Sequence, residues 1–115
     1  MIDITMTATW RPELLERTLK SFFKNLWITK DPRLKLIINI DPVGSPTDKS
    51  GDIIELCSNY FREVQVNRPE KAHFPSAVQW VWTQTKAPFI FNLEEDWELL
   101  HPIDFEKMLW NFAQN

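Results

Sequence analysis

Ile2-Asp3-Ile4-Thr5-Met6-Thr7-Ala8-Thr9-Trp10-Arg11-Pro12-Glu13-Leu14-Leu15 is the stretch that decides the fold class. Ile2 to Met6 is a short β-favouring run and reads as a strand. Pro12 lacks a backbone N–H and suits the first position of a helix. From there Leu15, Leu19, Phe22, Phe23 and Leu26 recur at helical spacing. A strand is therefore followed at once by an amphipathic helix. The switch of period then repeats. Leu34 to Ile40 reads as a second strand ending at Asp41, ahead of the loop Pro42-Val43-Gly44-Ser45-Pro46. Asp52 to Tyr60 reads as a short helix and Glu63 to Val66 as a short strand. Pro75 to Thr85 reads as a helix that turns Val78, Val81 and Trp82 toward the core. Phe89 to Leu93 is the last strand, and Pro102 to Phe112 a closing helix.

Strand and helix in strict alternation imply an α/β fold, a Rossmann-like three-layer sandwich around a mostly parallel sheet, because parallel neighbours need crossover helices. Such open sheets bind ligands beyond the carboxyl ends of their strands. The polar clusters of this chain fall at those ends: Thr7, Thr9 and Arg11 after the first strand, Asp41 after the second, and Glu94, Glu95 and Asp96 after the fourth. Three consecutive carboxylates repel one another unless a positive group sits among them. A hard divalent cation shared with a phosphorylated ligand meets that need; an ordinary solvated acidic loop is the other reading of the same residues.

At 115 residues and 13.7 kDa the chain fits one domain, residues 1–115. A net charge of −3 and a pI near 5.3 give no electrostatic case for nucleic acid. Cys57 is the single cysteine, so there is no disulfide framework and no zinc spacing, and a reducing, cytoplasmic setting is expected. No apolar run approaches ~18 residues, so no membrane segment is expected. With six tryptophans and eight phenylalanines, aromatics fill much of the core, and Trp80 and Trp82 cannot share one helix face.

The first loop lacks the glycine pattern of dinucleotide sites and the Gly-Lys-Ser/Thr ending of P-loops, which disfavours both classes. It offers threonine hydroxyls and the Arg11 guanidinium beside a helix start, a combination able to hold a nucleotide. Arg11 equally fits a surface ion pair with Glu13 or another loop acid. Asp41 can accept from a base imide or a ribose diol, or close an Asx turn ahead of Pro42. His73 and His101 have no partner at metal-ligand spacing, and no serine sits in a nucleophile elbow.

Three segments taken in order carry a family resemblance: Thr7-Ala8-Thr9-Trp10-Arg11-Pro12-Glu13-Leu14-Leu15-Glu16-Arg17-Thr18-Leu19, Asn39-Ile40-Asp41-Pro42-Val43-Gly44-Ser45, and Phe91-Asn92-Leu93-Glu94-Glu95-Asp96-Trp97-Glu98. Together they resemble the nucleotide-sugar-binding half of a GT-A fold glycosyltransferase, family-2-like or N-acetylglucosaminyltransferase-like. The resemblance implies transfer of a sugar from a nucleoside diphosphate donor, of UDP or GDP type, to an acceptor hydroxyl. It implies Mn²⁺ or Mg²⁺ as cofactor, with Asp96 as metal ligand and Glu94 a ligand directly or through water. Glu95 would meet the donor's ribose or sugar, Asp41 the base, and Thr7, Thr9 and Arg11 would line the nucleotide pocket. Full-size relatives carry the acceptor site, and in inverting members the general base, beyond the acidic motif, so no catalytic residue is assigned within 1–115. A sheet lacking that half is expected to self-associate. The alternative is a non-catalytic nucleotide-sugar-binding or interaction module of the same fold.

Overall fold

The computed structural model describes residues 1–114. Its strands are β1 (Ile2–Ala8), β2 (Leu34–Ile40), β3 (Glu63–Asn67) and β4 (Phe89–Asn92). Its helices are α1 (Pro12–Asn25), α2 (Ser50–Tyr60), α3 (Phe74–Thr83) and α4 (Phe105–Ala113). Strands and helices alternate as expected, and the described strands form one all-parallel sheet in the order β3-β2-β1-β4. The chain steps outward from β1 to β2 and β3, then returns to place β4 on the other side of β1. The order thus reverses between β1 and β4, and the crevice of an open α/β sheet lies at such a reversal.

The two faces of the sheet differ in chemistry. On one, Ile2, Ile4, Met6 and Ala8 of β1 and Leu34, Leu36, Ile38 and Ile40 of β2 share a core with Leu15, Leu19 and Phe22 of α1, Ile53 and Cys57 of α2, and Phe105 of α4. Full burial of a Leu or Ile side chain stabilises by about 2 kcal/mol, so this face supplies the bulk of the apolar stabilisation. The other face carries the alternate residues: Asp3, Thr5 and Thr7 on β1, and Lys35, Ile37 and Asn39 on β2. Helix α3 packs over these two strands.

Helix α3 buries Ala77 and Val81, one turn apart, whereas Trp82 is 51% exposed. The expectation that Trp82 points to the core is therefore corrected. Small Ala77 lets the helix approach the sheet, and a residue one step beyond Val81 is rotated about 100° away from that contact. Helix α4 starts at Phe105 instead of Pro102, because the Asp104 side chain accepts a hydrogen bond from the Lys107 N–H at 3.0 Å and caps it there. The segment before it is tied to α1: Asn25 Nδ2 donates to the Leu99 carbonyl, the Ile103 N–H to the Asn25 carbonyl, and the Leu99 N–H to Ser21 Oγ. Arg33 clasps the far end by pairing with Asp31 and with Glu106 of α4 while lying over the Phe105 ring.

Candidate functional site at the carboxyl ends of the strands

Glu95 is the hub of the crevice between β1 and β4. Its carboxylate accepts from the Thr9 N–H at 2.9 Å, from Thr9 Oγ1 at 3.1 Å and from Arg11 Nη2 at 2.7 Å. Its own carbonyl accepts from Thr18 Oγ1 at 2.5 Å. Arg11 therefore does form an ion pair with a loop acid, but the partner is Glu95, far away in sequence, and not Glu13. Arg11 Nε also donates to Thr9 Oγ1 at 2.8 Å, which closes a three-residue ring of Thr9, Arg11 and Glu95.

The loop after β2 packs onto this ring. The Trp10 N–H donates to the Val43 carbonyl at 2.7 Å. Gly44 has φ +103°, and a Cβ there would lie 3.0 Å from Arg11 Cγ and 3.3 Å from Thr9 Oγ1. Glycine is needed at this point both for the left-handed backbone and for the close approach.

Asp41 and Glu94 are held differently. Asn39 Nδ2 donates to Asp41 Oδ1 at 2.9 Å, and Asn92 Nδ2 donates to Glu94 Oε1 at 3.1 Å. Asp41 is buried and Glu94 half-buried, while Asp96 is exposed. Among the described residues neither Thr7 nor Asp96 makes a side-chain hydrogen bond or ion pair. Adjacent carboxylates in the acidic motif thus have separate fates: Glu95 is engaged by the loop after β1, and Glu94 and Asp96 keep oxygens available to a ligand. Among the described residues no group of three or more His, Cys, Asp or Glu side chains is placed to hold a metal ion. Two hard carboxylates suit an ion that completes its shell with ligand phosphates and water.

A cleft of about 340 Å³ opens beyond β2 and β3, lined by Trp10, Ile40, Pro42, Asp48, Ser50, Arg68, Pro69 and Glu70. Its size falls in the range of small-molecule sites. Trp10 and the prolines give it flat apolar walls. Its polar end is ordered: Arg68 Nη1 donates to Ser50 Oγ at 3.3 Å, and Ser50 donates through both Oγ and N–H to Asp48. Those bonds from Ser50 hold the Asp48 carboxyl below its ordinary range, with the Arg68 charge adding to the effect. A larger groove of about 460 Å³ runs along the outer side of α1, where Glu16 and Lys20 pair with each other. Its other wall is Glu98, Leu99 and Leu100, which follow the acidic motif.

Trp10, Ser50 and Arg68 are not in the sequence-derived site. The signal for Arg68 was its place two residues after the strand-like run Glu63 to Val66, close to the position relation that singled out Asp41. Asn39 and Asn92 were also missed, although polar residues at alternate positions of two otherwise apolar strands mark a polar sheet face.

The geometry defines a Rossmann-like α/β sandwich whose polar side chains gather at the carboxyl edge of the sheet. No family model matches the chain, and no curated protein matches it in sequence. Solved structures do match. A crystal structure of S. aureus TarS residues 1–349 aligns with a TM-score of 0.64 and 17% identity, covering 98% of this chain and 32% of that one. A second crystal structure of S. aureus TarS aligns with a TM-score of 0.66 and 15% identity, covering 98% of this chain and 19% of that one. At such identities the likeness is one of fold, and this chain spans about a third and about a fifth of the two. Among the described residues no helix is long and apolar enough to cross a membrane.

Proposed function

We propose that this chain is the nucleotide-sugar-binding part of a metal-dependent glycosyltransferase of the GT-A type, acting with a donor of UDP or GDP type. The observation that carries the reading is the pairing of a flat-walled cleft, lined by Ile40 and Pro42 on either side of Asp41 in the chain, with two available carboxylates, Glu94 and Asp96, at the strand end across β1. The α/β fold shared with the two TarS structures is compatible with it. In this reading Trp10 and Pro42 flank the base and Asp41 accepts from its edge. Arg68 supplies positive charge at the cleft's polar end, and Thr7, near the carboxyl end of β1, would line the nucleotide pocket. Glu94 and Asp96 would hold Mn²⁺ or Mg²⁺ together with the diphosphate; when bound, such a cation supplies Lewis-acid neutralisation of charge on the departing group. Thr9, Arg11 and Glu95 contribute by fixing the loop that walls the nucleotide, with the remaining donors of Arg11 open to a phosphate.

Calorimetry with UDP and GDP, each with and without MnCl₂, tests the reading. Binding that requires Mn²⁺ and is lost in Asp96→Ala supports it. Absence of metal-dependent nucleotide binding, with Asp96→Ala indistinguishable from the parent, removes it. Hydrolysis of a UDP- or GDP-sugar then separates turnover from donor holding alone.

A further inference from the structure

The polar face of the sheet repeats one device at two places. Asn39 on β2 and Asn92 on β4 each donate a carboxamide N–H to the carboxylate two residues downstream, Asp41 and Glu94 respectively. Each carboxamide oxygen accepts from a neighbouring strand: Asn39 Oδ1 from Asn67 Nδ2 at 2.7 Å, and Asn92 Oδ1 from Thr5 Oγ1 at 3.0 Å. Both donors are register partners, Asn39 opposite Asn67 and Thr5 opposite Asn92, so the parallel ladder itself sets the alignment. An ionised carboxylate only accepts, which fixes the way each amide faces.

This arrangement is costly as plain packing. Asn39 is 1% exposed, and Thr5 is fully buried, at interior positions of the sheet where Ile37 shows that an apolar side chain fits. Buried polar groups are tolerated there only because every link is hydrogen-bonded, and an apolar pair of the same shape would be about as stable. What the polar version adds is direction: the end of each chain of bonds is a carboxylate at the ligand edge. Two strand spacings, roughly 10 Å, separate the β2 and β4 ends.

We propose that Asn39 and Asn92 are positioning residues, each holding one carboxylate of the site, Asp41 for the nucleoside and Glu94 for the cation, through separate cross-strand relays. The inference rests on the proposed donor site, and it divides that site into two independently tunable halves.

The test measures UDP affinity by calorimetry and Mn²⁺ affinity by the free-ion paramagnetic resonance signal, with folding followed by circular dichroism and thermal melts. Asn92→Ala is expected to weaken Mn²⁺ binding roughly 10- to 100-fold, the usual effect of losing a partner of a metal ligand. Asn39→Ala is expected to weaken UDP about ten-fold at saturating Mn²⁺ and leave Mn²⁺ affinity unchanged, as for loss of a hydrogen bond to a charged group. Thr5→Val and Asn67→Ala, which cut the relays one step back, are expected to shift the same quantities in the same directions by less, and they keep the test open if either asparagine variant fails to fold. If the parent binds UDP with Mn²⁺ and loses it in Glu94→Gln and Asp41→Asn, yet the folded relay variants match the parent, the relays are overturned and the site stands. Equal effects of both relays on both ligands overturn the division. A parent that binds neither UDP nor Mn²⁺ overturns the site and the relays together.

Discussion

Arg11 Nη2 stands 2.7 Å from Glu95 Oε1, joining the loop after the first strand to the loop after the last across 84 positions of sequence. Arg11 is half exposed and Glu95 nearly buried, so the cation faces solvent while the carboxylate faces the loop. The charge pair at this depth is worth at most about 1 kcal/mol. The larger share comes from the Thr9 N–H, which has no other acceptor once Glu95 is removed. Glu95→Ala is therefore expected to lower stability by about 1–3 kcal/mol, and Arg11→Ala by under about 1 kcal/mol. Urea denaturation midpoints of the two variants decide it; equal losses would mean that the ion pair, and not the backbone donor, dominates.

The two glycines should respond in opposite directions to alanine. Gly44→Ala forces a side chain into left-handed backbone and against Arg11 and Thr9, and is expected to cost about 2 kcal/mol. Gly51 lies in α2 with nothing within 4 Å of an added Cβ, so Gly51→Ala is expected to gain about 0.5 kcal/mol. Thermal melts of both variants give the signs directly.

Acid should loosen the clasp at the start of β2. The hydrogen bond from Arg33 holds the Asp31 carboxyl below its ordinary value of 3.8. A carboxyl whose value is depressed by folding stabilises the protein above pH 3.8, and that contribution is lost as the pH falls through the lower folded value. In Arg33→Met the decline of stability below pH 3.8 should be shallower than in the parent, read from urea midpoints along a pH series.

Burial pushes the Cys57 thiol up to about 12. The native protein at pH 8 should therefore react with iodoacetamide only as fast as it opens, since the thiolate is the nucleophile. Mass-spectrometric labelling with and without urea measures this; rapid native labelling would contradict the buried placement.

The alternation of strand and helix was legible because each element keeps its own period: Leu34–Ile40 is observed with the bounds its composition suggests. Helix α3 was less legible. Hydrophobicity favoured Trp82 as an anchor, yet close packing over β1 and β2 selected the smaller Ala77 with Val81. Placement of Asp41 and the acidic motif at strand ends followed from topology alone. The long-range links did not, because Thr9 and Glu95, or Asn39 and Asn67, meet only through strand order, and nothing local in either segment encodes it. The contrast between Glu94 and Glu95 was hidden on the Glu95 side: Glu94 is held by Asn92 two residues away, whereas Glu95 is held by Thr9 and Arg11 from the distant loop after β1.

The placement of β4 against β1 has a kinetic meaning. Thr5 and Asn92 bond across 87 positions, whereas β1 meets β2 after a single helix. Closing the longer loop costs more entropy before any contact rewards it, so β1, α1 and β2 are expected to assemble first and β4 to dock late. The strand that completes the crevice is then the one whose arrival gates the native state. A ligand bridging Asp41 and Glu94 would slow the departure of β4 more than it speeds the first collapse, and occupancy would be read as a longer-lived fold.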